Sequence, residues 1–383
     1  MEFIKVKDIF KIKKGKKVIE VEGIGPIRYI QIDDLRNNNN IKYCNNENTY
    51  VYSEVDDIII AWDGANAGTI GYGLKGAIGS TLAVLSKNNN NFDTEFCGLF
   101  LKSKFNYLRD KCTGATIPHI SRASLEELEI PNMAIETQKR IVKILDESQE
   151  LINKRKEQIK ALDELVKSKF IEMFGTPMEK KFIGKTLPEI ISEDKYALKR
   201  GPFGGSLKKD DFIQEGYLVY EQRHAIHNDF EYAKYFISKE KYDEMIMFKV
   251  EPKDLLVSCS GVTLGRISEV PEGAKEGIIN QALLKITLNQ NIMNNIYFMQ
   301  LFRNEQIQDR LFGFSRGSGI PNFPSMNEVK SMEFLCPPIE LQNKFADFVK
   351  QLDKLKFELE KSLKELEDNF NSLMQRAFKG ELF

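Results

Sequence analysis

Ten positions between residues 345 and 377 form one heptad seam: Phe345, Val349, Leu352, Lys356, Leu359, Leu363, Leu366, Phe370, Leu373 and Ala377. Their steps alternate four and three, which lines them up along a single stripe of an α-helix that needs a partner helix. Subtracting 204 from each number gives Ile141, Leu145, Ser148, Ile152, Arg155, Ile159, Leu162, Val166, Lys169 and Met173, and seven of these are again apolar. Two long helices sharing one register imply a duplicated unit. The nearest partner for each helix is the other copy, so the two are expected to pair as an antiparallel coiled coil. The polar seam residues Ser148, Arg155, Lys169 and Lys356 then either fix register or lie along the surface of the pair with their stems on it.

The segments around the helices read as mixed α+β domains. Residues 29–35 alternate like a strand. Residues 57–64 read as a buried strand running into a glycine turn, and 80–85 as another strand. Residues 96–111 have helical periodicity, and a loop punctuated by glycine and proline follows at 114–120. The second half repeats this plan. Tyr217-Leu218-Val219-Tyr220 stands for the strand near Tyr29. Residues 254–265 align without a gap on 57–68, at an offset of 197, so that Gly261 and Gly265 match Gly64 and Gly68. Residues 281–286 give the next strand, and 317–323 echo 114–120. The expected organisation is a domain at 1–134, a helix at 135–176, a second domain at 177–338 and a second helix at 339–383. At about 1.5 Å per residue each helix is roughly 57 Å long, a spacer of fixed length between two related domains.

Several classes are excluded or disfavoured. No apolar run is long enough to span a bilayer. The opening residues Met1-Glu2-Phe3-Ile4-Lys5 lack a charged-then-apolar leader pattern. Five scattered cysteines without a CxxC suggest neither a disulfide framework nor a zinc site, and a reducing cytoplasm is the expected setting. Ile183-Gly184-Lys185-Thr186 has the tail of a phosphate-binding loop, but Glu179 stands where that motif needs glycine, so a turn is expected. His224 and His227 lack a third ligand and read as a solvent loop. No nucleophile elbow is present. No cofactor is expected.

The formal net charge of −1 is a poor global footprint for nucleic acid, so any such affinity must come from local patches or from partners. Two basic clusters lie near the start of the repeats. Lys11, Lys13, Lys14, Lys16 and Lys17 surround Gly15 in an expected turn. Lys199, Arg200, Lys208 and Lys209 surround a flexible run from Gly201 to Leu207. Either a solvated face or a set of phosphate contacts fits them. Gln31, Asn66, Gln222, Arg223, Thr263 and Arg316 could read base edges, and Arg122 follows the first Gly-Pro loop. Singly, each of these reads as ordinary surface before it reads as a base contact.

Taken together, these features resemble the specificity (S) subunit of Type I restriction–modification systems, over essentially the whole chain. The residues that carry the resemblance are Phe170-Ile171-Glu172-Met173-Phe174-Gly175-Thr176-Pro177 at the end of the first helix, and Pro337-Pro338-Ile339-Glu340-Leu341-Gln342 at the start of the second. The paired loops Gly114-Ala115-Thr116-Ile117-Pro118-His119-Ile120 and Gly317-Ser318-Gly319-Ile320-Pro321-Asn322-Phe323, and the closing Lys379-Gly380-Glu381-Leu382, also fit. Where that family carries Pro-Pro and then Glu-Gln, the first copy here has Met133-Ala134 and Thr137-Gln138. The second ends Leu341-Gln342, so Gln138 and Gln342 alone are shared.

The resemblance implies two target-recognition domains, each reading one half of a split double-stranded DNA site. Lys13, Lys14, Lys16, Gln31, Asn66, Arg122, Arg200, Lys208, Arg223, Thr263 and Arg316 are the expected DNA contacts. Gln138, Ile141, Leu145, Gln342, Phe345 and Val349 are the expected spacer or partner positions. It further implies that methyl transfer belongs to modification subunits, that cleavage belongs to a restriction subunit, and that no membrane is involved. A single-chain nuclease or methyltransferase, and a coiled-coil scaffold without DNA specificity, are the competing readings.

Overall fold

The computed structural model describes residues 2–114, 116–176, 179, 181–313 and 323–382. It divides into two compact units, one of Met1–Glu157 with Glu360–Phe383 and the other of Gln158–Leu359. The long helices run Ile135–Phe174 and Ile339–Lys379 without a break, so each contributes to both units. Every position of both seams is buried or half-buried. In the first unit, Ile141 and Leu145 share a core with Phe370, Leu373, Ala377 and Phe378. In the second, Val166, Phe170 and Met173 share one with Phe345 and Val349. Early residues of one helix thus meet late residues of the other in each unit, which is antiparallel pairing. Lys156 bonds Glu367 at 2.8 Å in the first unit, and the seam residue Lys356 bonds Asp163 at 2.6 Å in the second. Such half-exposed pairs contribute at most about 1 kcal/mol each, so their value lies in register rather than in stability.

The sequence repeat is a repeat of topology. In the first unit the strands Phe10–Lys14, Leu82–Lys87, Ile58–Ala61 and Ile70–Tyr72 pair antiparallel in that spatial order. In the second, Leu198–Arg200, Leu283–Ile286, Leu255–Ser258 and Ile267–Glu269 do the same. Each unit adds a second sheet with a parallel pair, Ile27–Ile30 on Gly76–Ile78 and Tyr217–Tyr220 on Gly277–Ile279. Residues 58–61 are unbroken apolar because both faces are covered: Ile58 and Ile60 enter one core, Ile59 and Ala61 another.

Each helix start is tied to its own unit by a buried glutamine. Gln138 accepts the Asp93 N–H at 2.8 Å and donates to the carbonyls of Asn91 and Met133, both at 2.8 Å. Gln342 accepts the Asn294 N–H at 2.9 Å and donates to Ile292 at 3.0 Å and Pro337 at 2.7 Å. Both side chains are fully buried. This accounts for the presence of glutamine in both copies while its neighbours differ. Truncation would strand buried peptide groups at about 1–3 kcal/mol each.

Several local expectations are corrected. Gly184–Thr186 is a strand, not a turn, because it pairs with the distant Glu333–Leu335, as Glu2–Lys5 pairs with Glu129–Asn132 in the other unit. The strand at Tyr29 ends at Ile30 and gives way to a 3-10 turn at Asp33–Leu35. There the buried Asp34 carboxylate accepts the Gln31 N–H at 2.7 Å and pairs with Arg28 at 2.5 Å. The helix expected at 96–111 is two, Thr94–Ser103 and Phe105–Asp110, parted by the non-helical Lys104. His224 is not in a solvent loop. It lies in the helix Gln222–His227, fully buried, with Nε2 at 2.9 Å from the Tyr232 carbonyl and Nδ1 at 2.9 Å from the Glu221 N–H.

Candidate nucleic-acid interface

Lys11, Lys13 and Lys14 of the first basic cluster stand on an edge strand rather than in a turn, and Lys16 and Lys17 lie just beyond its end. Among the described residues Phe10–Lys14 pairs with Leu82–Lys87 alone, and as a strand its side chains alternate between faces. Lys13 stands opposite Val84 and Lys14 opposite Ala83, on opposite faces of the sheet. Lys11, Lys13, Lys16 and Lys17 are exposed. The strand then presses onto a turn. Gly15 donates its N–H to Leu82 at 2.8 Å, and a Cβ there would sit 2.1 Å from the Gly79 carbonyl oxygen. Gly201 repeats the device, with its N–H on Leu283 at 2.9 Å and a Cβ position 1.9 Å from the Asn280 oxygen. Only glycine permits that approach. Lys14 and Arg200 are therefore equivalent, each the last residue before the glycine.

In the first unit several loops close on one another beside this glycine. Trp62 donates to Thr81 at 2.7 Å, Gly64 to Pro118 at 2.9 Å and Ile120 to Trp62 at 2.9 Å. Gly64 and Gly68 both have positive φ (93° and 95°), which explains their place in the turn. Lys14 Nζ lies 2.7 Å from Asp63 Oδ2, and His119 Nδ1 lies 2.6 Å from Asp63 Oδ1. Asn66 accepts from Arg36 at 2.8 Å. Gln31 follows Ile30, whose carbonyl accepts the Gly79 N–H. Lys14, Lys16, Gln31 and Asn66 thus belong to one loop cluster. Arg122 lies two residues beyond Ile120 and is held by Glu126 at 2.7 Å. Lys13 points from the sheet face instead.

The second unit builds its cluster around Ser260 and the Gly261–Thr263 turn. Gln222 accepts the Ser260 N–H at 3.1 Å, which brings Gln222 and Arg223 to that turn. Arg223 pairs with Asp229 at 3.1 Å and lies 4.4 Å over the Tyr232 ring. Arg200 lies 5.7 Å from the Phe203 ring and 5.1 Å from the Phe323 ring, and its buried Nε has no hydrogen-bond partner among the described residues. Thr263 is half-buried beside Val262, which is 98% exposed. Lys208 is exposed in the loop after Arg200, and no hydrogen bond or ion pair among the described residues ties it to the Ser260 turn. Arg316, and the 317–323 echo except for Phe323, lie outside the described residues.

Sequence reading missed Asp63, His119, Arg36 and Phe203. The signal for the first two was present: the 57–68 and 114–120 stretches recur together in the second half, as paired loops would. Among the described residues no group of three or more His, Cys, Asp or Glu is placed to hold a metal, and no helix is long and apolar enough to cross a membrane.

Comparison with known proteins bears on both units. A model of the Type I restriction modification DNA specificity domain matches residues 1–161 and 203–368. The Type I restriction enzyme MjaVIII specificity subunit of Methanocaldococcus jannaschii is 24% identical over 408 residues, covering 100% of this chain and 92% of the relative. The solved S subunit of a Type I restriction–modification system from M. genitalium matches at TM-score 0.55 and 19% identity, covering 98% of this chain and 96% of that one. A chain from a structural study of complex assembly and conformational transition of the type I R-M system matches at TM-score 0.65 and 13% identity, covering 100% and 98%. At these identities the two structural likenesses establish the fold.

Proposed function

Because the chain belongs to the Type I restriction modification DNA specificity family, its role is DNA recognition, and we propose that each unit reads one half of a bipartite target through its glycine-turn loops. The observation that carries this reading is one loop scaffold occurring twice with unlike polar groups. Lys14, Asp63, His119 and Asn66 stand on the first; Arg200, Ser260, Gln222 and Thr263 stand on the second. Shared architecture with different chemistry suits an asymmetric target of two short half-sites. The exposed lysines contact phosphates, and Arg223, Thr263, Gln31 and Asn66 face bases.

The paired helices set the half-site spacing. Ile141, Leu145, Phe345 and Val349 serve this spacer from inside the cores, and Gln138 and Gln342 anchor it. The methyltransferase subunits dock on the outer helix surface, where Leu151 (54% exposed) and Leu355 (48% exposed) repeat at the 204-residue offset. Methyl transfer, and cleavage with its ATP hydrolysis where a restriction subunit joins, belong to those cytoplasmic partners. The chain itself holds no cofactor. An isolated chain that methylated DNA would contradict this division.

The phosphate assignment has its own test. In the assembled complex, Lys13→Ala with Lys16→Ala is expected to weaken binding to every sequence alike. The slope of log affinity against log salt should become shallower by about 0.9 for each phosphate no longer neutralised. Anisotropy titrations across salt concentrations measure it. Wild-type affinity and slope would remove these lysines from the interface. Lys14 is left out because Asp63 already engages it.

A further inference from the structure

We propose that His119 is a specificity-determining residue of the first unit, held by Asp63 so that its ring Nε2 presents a lone pair to a base amino group, cytosine N4 or adenine N6. This rests on the reading of that unit as a DNA reader. Asp63 is the shared acceptor of Lys14 and His119. Burial alone would raise its carboxyl pKa, but hydrogen bonds from Lys14 and His119 outweigh burial and hold it below the usual range. An ionised carboxylate only accepts, so the 2.6 Å contact requires the proton on His119 Nδ1. In the neutral ring, Nε2 is then the acceptor.

The ring is well placed to use that acceptor. It is 46% exposed, and Nε2 has no hydrogen-bond partner among the described residues. Its backbone is pinned by mutual hydrogen bonds with Thr113, at 2.9 and 2.8 Å. Gly114 has positive φ (95°), and a Cβ there would sit 3.0 Å from the imidazole Cδ2, so the ring packs closely over the glycine. A rigid ring with a fixed tautomer is a reading group rather than a mobile surface side chain. An outward lone pair repels phosphate oxygens, whereas the amino groups of cytosine and adenine are donors on the major-groove edge. Asp63 also occupies the Lys14 ammonium, so the Lys14–Asp63–His119 group itself does not offer a free cation to phosphate. The second unit lacks the device. Ser260 stands at the position of Asp63, and Arg200, in place of Lys14, lies against aromatic rings.

The test uses the full chain assembled with methyltransferase subunits. Selection from randomised half-sites followed by sequencing gives the preference at every position. His119→Phe, which keeps a ring of similar shape but no acceptor, is expected to cut discrimination at one adenine or cytosine position of one half-site by about ten-fold. An unchanged second half-site shows that the variant is folded. Histidine-selective ¹⁵N labelling reads the tautomer directly. Wild type should show an unprotonated Nε2 on His119, and Asp63→Ala should move the ring toward the Nε2-protonated form while weakening the same base preference. A wild-type motif in His119→Phe, or a protonated Nε2 in the wild type, overturns the inference and leaves the DNA-reading function standing. A wild-type complex without any sequence preference overturns that function and the inference with it.

Discussion

Inserting seven residues into each long helix, after Glu157 and after Leu359, is expected to lengthen the preferred DNA spacer by about three base pairs and leave both half-sites unchanged. Seven residues add roughly 10 Å at 1.5 Å per residue, and B-DNA rises about 3.4 Å per base pair. The insertion preserves the seam because all positions of both seams are buried or half-buried in one heptad register. Three base pairs also turn one half-site by roughly 100° around the duplex, at 10–10.5 base pairs per turn, so activity should fall even as the preferred spacer shifts. A four-residue insertion breaks the phase as a stutter and should be tolerated less well. Selection on spacer libraries decides it. An unchanged spacer in an active seven-residue variant would mean that the helices do not set the distance.

Phe345→Ala is expected to destabilise the second unit by about 3–5 kcal/mol. Phe345 is fully buried at a seam position of the second helix. Its ring meets Phe170 at 5.5 Å and 77° and Phe174 at 5.5 Å and 82°, both edge-on. Tyr297 completes the cluster at 5.5 Å from Phe170 and 4.7 Å from Phe174, and donates its hydroxyl to the Leu335 carbonyl at 3.0 Å. Truncation leaves a cavity where helix seam and domain core meet, and rigid aromatic walls collapse poorly into it. The first unit fills its seam end with Ile141, Ala377 and Phe378, the last of these 5.5 Å from Phe96. Denaturant unfolding should therefore show one transition displaced and the other kept. A wild-type unfolding profile would show that the cluster does not hold helix to domain.

What the sequence revealed and concealed follows from the range of each interaction. The seam was legible because a heptad repeats its own test many times, and the burial of Phe345, Ile141 and Ala377 follows that register. The duplicated topology was legible because residues 57–68 and 254–265 preserve both an apolar strand and its glycine turn. The strand Gly184–Thr186 was not, because its partner lies at Glu333–Leu335 and nothing local announces it. The lysine run misled for a related reason. Glycine and charge suggest a turn, but pairing with Leu82–Lys87 extends the backbone and sends Lys13 and Lys14 to opposite faces. Asp63 and His119 lie 56 residues apart and meet only when two loops close on each other. Their separate positions were visible, but the hydrogen bond between them was not.

Methylome sequencing of cells carrying the assembled complex, before and after Arg200, Arg223 and Thr263 are changed together to Ala, tests the division of labour between the units most directly. These residues all belong to the loop cluster of the second unit. Their removal should relax one half of a bipartite methylation motif, at roughly 1–3 kcal/mol for each base-reading side chain truncated, with the other half and the spacer length unchanged. A motif whose two halves change together, or one that survives the triple substitution intact, would contradict two units that each read their own half-site.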